Sequence, residues 1–120
     1  MSLEVVPGPP DVCVLAASGE LDAVVTPGLI ERVETLVDGA AAVVLDLSAV
    51  SFLDSSGLRL VDRLARECGR RGAPVRIVAP LGSPSRRLLE IVVMAGELVA
   101  ADRPTAEAAV RAQLSAAPAG

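Results

Sequence analysis

At 120 residues, with a net charge of −4 and a pI near 4.7, the chain is sized for one domain and is too acidic to suit nucleic acid, which favours a basic face. Hydrophobic residues make up 52% and Phe52 is the sole aromatic, so a packed core has to be built from Val, Leu, Ile and Ala. There is no His, Lys, Tyr or Trp, which excludes Ser-His-Asp and Cys-His relays, Schiff bases, a Walker-type phosphate loop and a Ser-x-x-Lys pair.

In chain order, Leu3 to Val6 reads as a first strand, with a turn at Pro7 to Pro10. Val12 to Ala17, β-branched and apolar, is a second strand hairpinned to it, and Ser18-Gly19-Glu20-Leu21-Asp22 breaks its pattern. Thr26-Pro27 carries a helix start, Thr as N-cap and Pro at the first helical position; Leu29, Val33, Leu36 and Val37 share a face, and Gly39 is the stop. The run Ala40 to Leu47, interrupted only by Asp46, suits a central strand covered on both faces.

From Ser55 the period turns helical. Val61, Leu64, Ala65 and Cys68 form an apolar stripe, and the pairs Asp62/Arg66 and Arg63/Glu67 are spaced for i, i+4 attraction. Gly69 and Gly72 mark the end. Val75 to Ala79 is the next strand, Ser83-Pro84 repeats the cap signal, and Leu88, Leu89, Val92 and Val93 give the following helix its apolar face. Leu98 to Ala100 is a short edge strand. Thr105 caps a last helix with Ala106, Val110 and Leu114 inward, and 116–120 is a frayed, disordered tail.

The order predicts an α/β fold occupying 1–115 as a single domain: a mostly parallel central sheet of four to five strands, an N-terminal hairpin and about four helices. Functional loops in such sheets lie at the C-terminal ends of the strands, where Gly19 to Asp22 and Asp54 to Gly57 both fall. No apolar run approaches the roughly 18 residues of a membrane span, and Met1 to Glu4 has no signal-peptide character. A cytoplasmic protein is expected, without membrane or direct nucleic-acid contact. Cys13 and Cys68 are isolated, with no His to complete a metal set, so free, semi-buried thiols are expected and no metal or cofactor.

The segment Asp54-Ser55-Ser56-Gly57 fits neither a nucleophile elbow, which needs Gly two residues before the Ser and a His base, nor a glycine-rich phosphate loop. As structure alone it is a helix cap, with Asp54 or Ser55 accepting from the first turn. As chemistry, a hydroxyl at a helix N-terminus is exposed and lies in the positive end of the helix dipole, so a phosphate there is locally tolerated. It would add about −1.5 to −2 charges beside Asp54 and Asp22.

Gly19-Glu20-Leu21-Asp22, the strand ending Leu45-Asp46-Leu47, and Ser51 to Leu58 ("SFLDSSGL") together resemble the STAS domain, the sulfate transporter and anti-sigma factor antagonist family, and the likeness in element order runs from Leu3 to about Leu114. The resemblance implies that Ser55 is a phosphoacceptor; Asp22, Asp54, Ser56, Gly57, Arg59 and Asp62 are the candidate partner-binding residues of the surface around it. It further implies partner switching: the unmodified protein binds an anti-sigma factor that is also a serine kinase and so releases the sigma factor, the kinase phosphorylates and ejects it, and a PP2C-type phosphatase resets it. The protein is then a substrate and binding module, not an enzyme. The alternative is a STAS-type module that binds constitutively within a transport or signalling complex. Two segments depart from the family's usual look: the Pro-rich stretch Pro7 to Pro10, and the apolar Val92 to Gly96.

Overall fold

The structure, a computed structural model, describes residues 2–91 and 98–116. Among these residues five strands and four helices follow in the order β1 (Ser2–Val6), β2 (Val12–Leu21), α1 (Thr26–Val37), β3 (Ala42–Leu53), α2 (Ser55–Arg70), β4 (Val75–Val78), α3 (Pro84–Ile91), β5 (Val99–Ala100) and α4 (Arg103–Ala116). The strands form one sheet in the order β1-β2-β3-β4-β5. β1 pairs antiparallel with β2, from Ser2 opposite Ser18 to Val6 opposite Val14, and every other pairing is parallel. The expected α/β class, mostly parallel sheet, N-terminal hairpin and helix number are all present.

Because the strands from β2 to β5 lie side by side in sequence order, right-handed crossovers carry α1, α2 and α3 to the same face. Their buried side chains, including Leu29 and Val33 of α1, Leu60 and Leu64 of α2 and Leu89 of α3, join Leu15, Val43, Leu45 and Leu47 in the larger core cluster. Among the described residues, α4 is the helix that covers the other face, where Ala106 and Val110 pack on Val14, Val44 and Val78. The alternation along β3 explains its sequence: Val43, Leu45 and Leu47 enter the first cluster and Ala42 and Val44 the second, so the stretch Ala42 to Leu47 is buried on both faces.

Several boundaries differ from expectation. β2 does not break at Ser18 but runs to Leu21, pairing with β3 as far as Leu53, with register irregularities between Ala16 and Ser18 and between Gly19 and Glu20. Gly19 takes φ 87°, a conformation that glycine adopts freely, so the strand bends there without ending. Thr26 is not the N-cap of α1. That position is Val25, Pro27 lies one residue further into the helix, and the Thr26 hydroxyl makes no capping bond. Likewise Asp102, not Thr105, caps α4: its Oδ1 accepts the Thr105 N–H at 2.8 Å. The cap at Ser83 is present as expected, its Oγ accepting the Arg86 N–H at 3.2 Å. Val92, Val93 and the apolar turn to Gly96, together with 117–120 of the tail, lie outside the described residues.

Candidate functional site

The C-terminal ends of β2 and β3 are neighbours, Leu21 pairing with Leu53, and each releases an aspartate into the next loop. Asp22 folds the first loop on itself: its Oδ1 accepts the N–H of Val24 at 2.9 Å and of Val25 at 3.2 Å, and its carbonyl accepts the Thr26 N–H at 3.0 Å. This is an Asx-type turn, in which a short carboxylate substitutes for a backbone acceptor. Asp54 is the N-cap of α2. Its backbone is extended, and its Oδ1 accepts the Ser56 N–H at 2.8 Å and the Gly57 N–H at 3.4 Å. Its own N–H reaches the Leu21 carbonyl at 3.4 Å, so the two loops are tied together directly.

Ser55 follows the cap and begins α2 with its side chain exposed; Ser56 is half-buried and Gly57 is buried. Gly57 is where the helix presses on the sheet. A Cβ there would fall 2.4 Å from Leu53 Cδ1 and 3.1 Å from the Leu21 carbonyl oxygen, so only glycine lets α2 start this close to the strand ends. Asp54, Ser55, Ser56 and Gly57 thus have four distinct placements: cap, exposed hydroxyl, groove wall and packing contact.

Arg59 and Asp62 project from the same helix. With Ser56, Arg63, Thr26, Pro27, Ile30 and Ala23 they line a groove of about 500 Å³ between α1 and α2. Asp62 is held by Arg66 at 2.9 Å, the pair expected from spacing. Arg63, however, bonds Glu34 of α1 at 2.9 Å, and Glu67 takes Arg70 instead. The other expected pair is therefore replaced by a bridge between the helices that form the groove. Thr26 Oγ1 is buried, 1% of the residue being exposed, and has no hydrogen-bond partner among the described residues. Asp22, Asp54, Ser56, Arg59 and Asp62 are thereby brought to one end of the molecule around Ser55.

Two exposed apolar residues join them that spacing did not single out. Val24, 87% exposed, tops the Asp22 loop, and Phe52, 47% exposed, lies near the end of β3. Phe52 carried a signal in being the chain's sole aromatic; it lies beyond the run Ala40 to Leu47 that reads as core, and nothing in the sequence indicated that it faces out.

Away from this end, Asp46 is the one buried carboxylate among the described residues, 6% exposed. It lies on the α4 side of β3, with Arg103 Nε at 2.6 Å and the Ser48 hydroxyl and N–H at 2.5 and 2.8 Å. Burial pushes its pKa up, but the Ser48 hydrogen bonds and the Arg103 guanidinium outweigh that and hold the carboxyl below its ordinary value. The cysteines are free, Cys13 half-buried and Cys68 buried, and burial raises both thiol pKa values, leaving them protonated at neutral pH. Among the described residues no three His, Cys, Asp or Glu side chains group so as to hold a metal ion, and no helix is long and apolar enough to cross a membrane.

Comparison with known proteins places this geometry. The chain is 37% identical over 83 residues to the anti-sigma-F factor antagonist RsfB of Mycobacterium tuberculosis; the match covers 68% of this chain and 66% of RsfB, just under two thirds of its length. It superposes on the crystal structure of an anti-sigma factor antagonist from Mycobacterium paratuberculosis with a TM-score of 0.75, at 29% identity over 92% of this chain and 95% of that one. The fold is shared with SpoIIAA of Bacillus. Its unphosphorylated form gives a TM-score of 0.73 at 21% identity, covering 93% of this chain and 96% of that one. The phosphorylated form gives 0.68 at 22%, covering 92% and 99%. The family model described as the STAS domain matches residues 5–108, the span that contains nearly the whole sheet and the Asp54–Gly57 turn, and the chain belongs to that family.

Proposed function

We propose that this protein is an anti-sigma factor antagonist that works by partner switching, with Ser55 as its phosphoacceptor. Unmodified, it binds an anti-sigma factor that is also a serine kinase, and the sigma factor is released. The kinase then transfers the γ-phosphoryl of its ATP to Ser55 Oγ, the hydroxyl proton is lost, ADP leaves, and the antagonist is ejected. A PP2C-type phosphatase hydrolyses the ester and restores the hydroxyl. ATP and metal belong to the partners, which agrees with a chain that has no His or Lys of its own.

The observation that carries this reading is the placement of Ser55. Its side chain is exposed at the first position of α2, on a helix end fixed by Asp54 and by the close packing of Gly57, so a group added there alters the surface and not the core. Val24 and Phe52, exposed at the same end of the sheet, supply the apolar contact a docking partner would bury. Adding about −1.5 to −2 charges between Asp22 and Asp54 would set that partner against both bulk and like charge.

The test is a pull-down from host lysate with three baits: the parent protein, Ser55→Ala and Ser55→Asp. Retention of an ATPase-type kinase by Ser55→Ala, with its loss by Ser55→Asp, is the expected outcome. Equal recovery of one partner by all three baits would reduce Ser55 to a structural position and leave a constitutive binding module in a transport or signalling complex.

A further inference from the structure

The start of α2 offers a phosphate fewer donors than a bare helix end would. Asp54 Oδ1 already holds the N–H groups of Ser56 and Gly57, and the Leu58 N–H is bonded to the Asp54 carbonyl at 3.1 Å. A phosphate on Ser55 would therefore meet the Asp54 carboxylate where open amides are expected. Of the first-turn amides only the Ser55 N–H has no partner among the described residues, so a full countercharge has to come from a side chain.

Four arginines lie on α2. Arg63, Arg66 and Arg70 are each paired with an acid, respectively Glu34, Asp62 and Glu67. Arg59 is exposed and has no ion pair or hydrogen bond among the described residues. It stands four residues after Ser55, so the two side chains share a helix face with Cβ atoms about 5–6 Å apart. Helical side chains lean toward the N-terminus, which brings the guanidinium back over the first turn. An acid four residues ahead of a base is also the favourable order of such a pair. An unpaired cation near the positive end of a helix is poorly placed electrostatically until an anion arrives there.

We propose that Arg59 is the intramolecular receptor for phosphate on Ser55, its planar guanidinium donating to two phosphate oxygens. The proposal rests on Ser55 being the phosphoacceptor and adds the regulation of that site. Arg59 also lines the mouth of the α1–α2 groove, where the Thr26 hydroxyl is buried without a partner among the described residues. Phosphorylation thus acts twice: it places an anion on the docking surface and withdraws from the groove a cation that an acidic side chain of the kinase partner would otherwise meet.

The experiment uses full-length protein with phosphoserine installed at position 55 during translation, in parent, Arg59→Gln and Arg59→Lys backgrounds, titrated by phosphorus-31 NMR. Asp22, Asp54, Asp62 and Arg63 are present in all three, so their fields cancel in the comparison. In the parent, the second ionisation of the phosphate is expected about 0.2–0.7 pH unit lower than in Arg59→Gln, with Arg59→Lys recovering part of the shift and 1 M salt shrinking it. Superimposable titrations of parent and Arg59→Gln would overturn the pairing. A host kinase that never modifies Ser55 would instead overturn the proposed function, while the titration still reports on the pair.

Discussion

Gly57 and Leu53 are packed so tightly that a Cβ on the glycine would lie 2.4 Å from Leu53 Cδ1 and 2.9 Å from its Cγ, with the Leu21 carbonyl oxygen 3.1 Å away. Gly57→Ala gains helix propensity but has to move both the side chain and the strand end, so a net loss of about 1–2 kcal/mol is expected. Gly69, in the same helix, has nothing within 4 Å of the position a methyl group would take, and Gly69→Ala should stabilise by roughly 0.5–1 kcal/mol. Opposite shifts of the urea midpoint for the two variants check this.

Asp54, and not either serine, accepts the first-turn N–H groups of α2. Asp54→Ala should therefore cost about 0.5–2 kcal/mol, and Asp54→Asn much less. Ser55→Ala should stay within roughly 0.5 kcal/mol of the parent, since no bond to the Ser55 hydroxyl is made among the described residues. Ser55→Asp should fold at least as well, because a carboxylate suits a helix N-terminus. Thermal melts of the four variants would show whether the cap and the acceptor are separable.

The Asp46 carboxyl is held below its ordinary pKa despite burial, so as pH falls the unfolded chain takes up that proton before the folded chain does. The stabilisation it gives is complete above about pH 4 to 5 and is lost as pH drops through the folded-state value. Arg103→Ala leaves the carboxylate buried and short of a partner, which should cost roughly 1–3 kcal/mol at pH 7, less than for a fully buried pair because Arg103 is partly exposed. The difference from the parent should narrow in acid, once Asp46 is neutral. Urea denaturation at several pH values between about 3 and 7 measures both trends.

Burial keeps both thiols protonated. At neutral pH, alkylation of Cys13 and Cys68 should be far slower than that of a free cysteine peptide, with Cys68 unmodified until the chain unfolds. Mass spectrometry of samples labelled with and without urea distinguishes the two sites.

Much of this was legible in the sequence, because periodicity and strand composition report burial directly. The stripe Val61, Leu64, Ala65 and Cys68 marked the inner face of α2, and the run to Leu47 marked the buried half of β3. What escaped depends on competition or on distance. Thr26 and Thr105 look like caps, but Asp22 and Asp102, a few residues earlier, hold the N–H groups at the two helix starts with a stronger acceptor. Gly19 suggested a break where the sheet only bends. Arg63 reaches across to another helix, and Asp46 takes a partner 57 residues away, beyond anything spacing can pair. Around Ser55 the cap and the exposed hydroxyl were readable; which of Asp54 and Ser55 accepts the first-turn N–H groups was not.

The unequal cover of the two sheet faces has a consequence for local opening. Among the described residues, α4 rests on a cluster of eight buried side chains and is pinned by Arg103 to Asp46, whereas α1, α2 and α3 share a cluster of twenty-two. The cost of detaching α4 is therefore the smaller one, and its amides should exchange with deuterium through a partial opening that leaves α2 protected. Motion would be concentrated on the side of the sheet opposite the helix that begins with Ser55, and the surface a partner meets would stay fixed while the far side breathes.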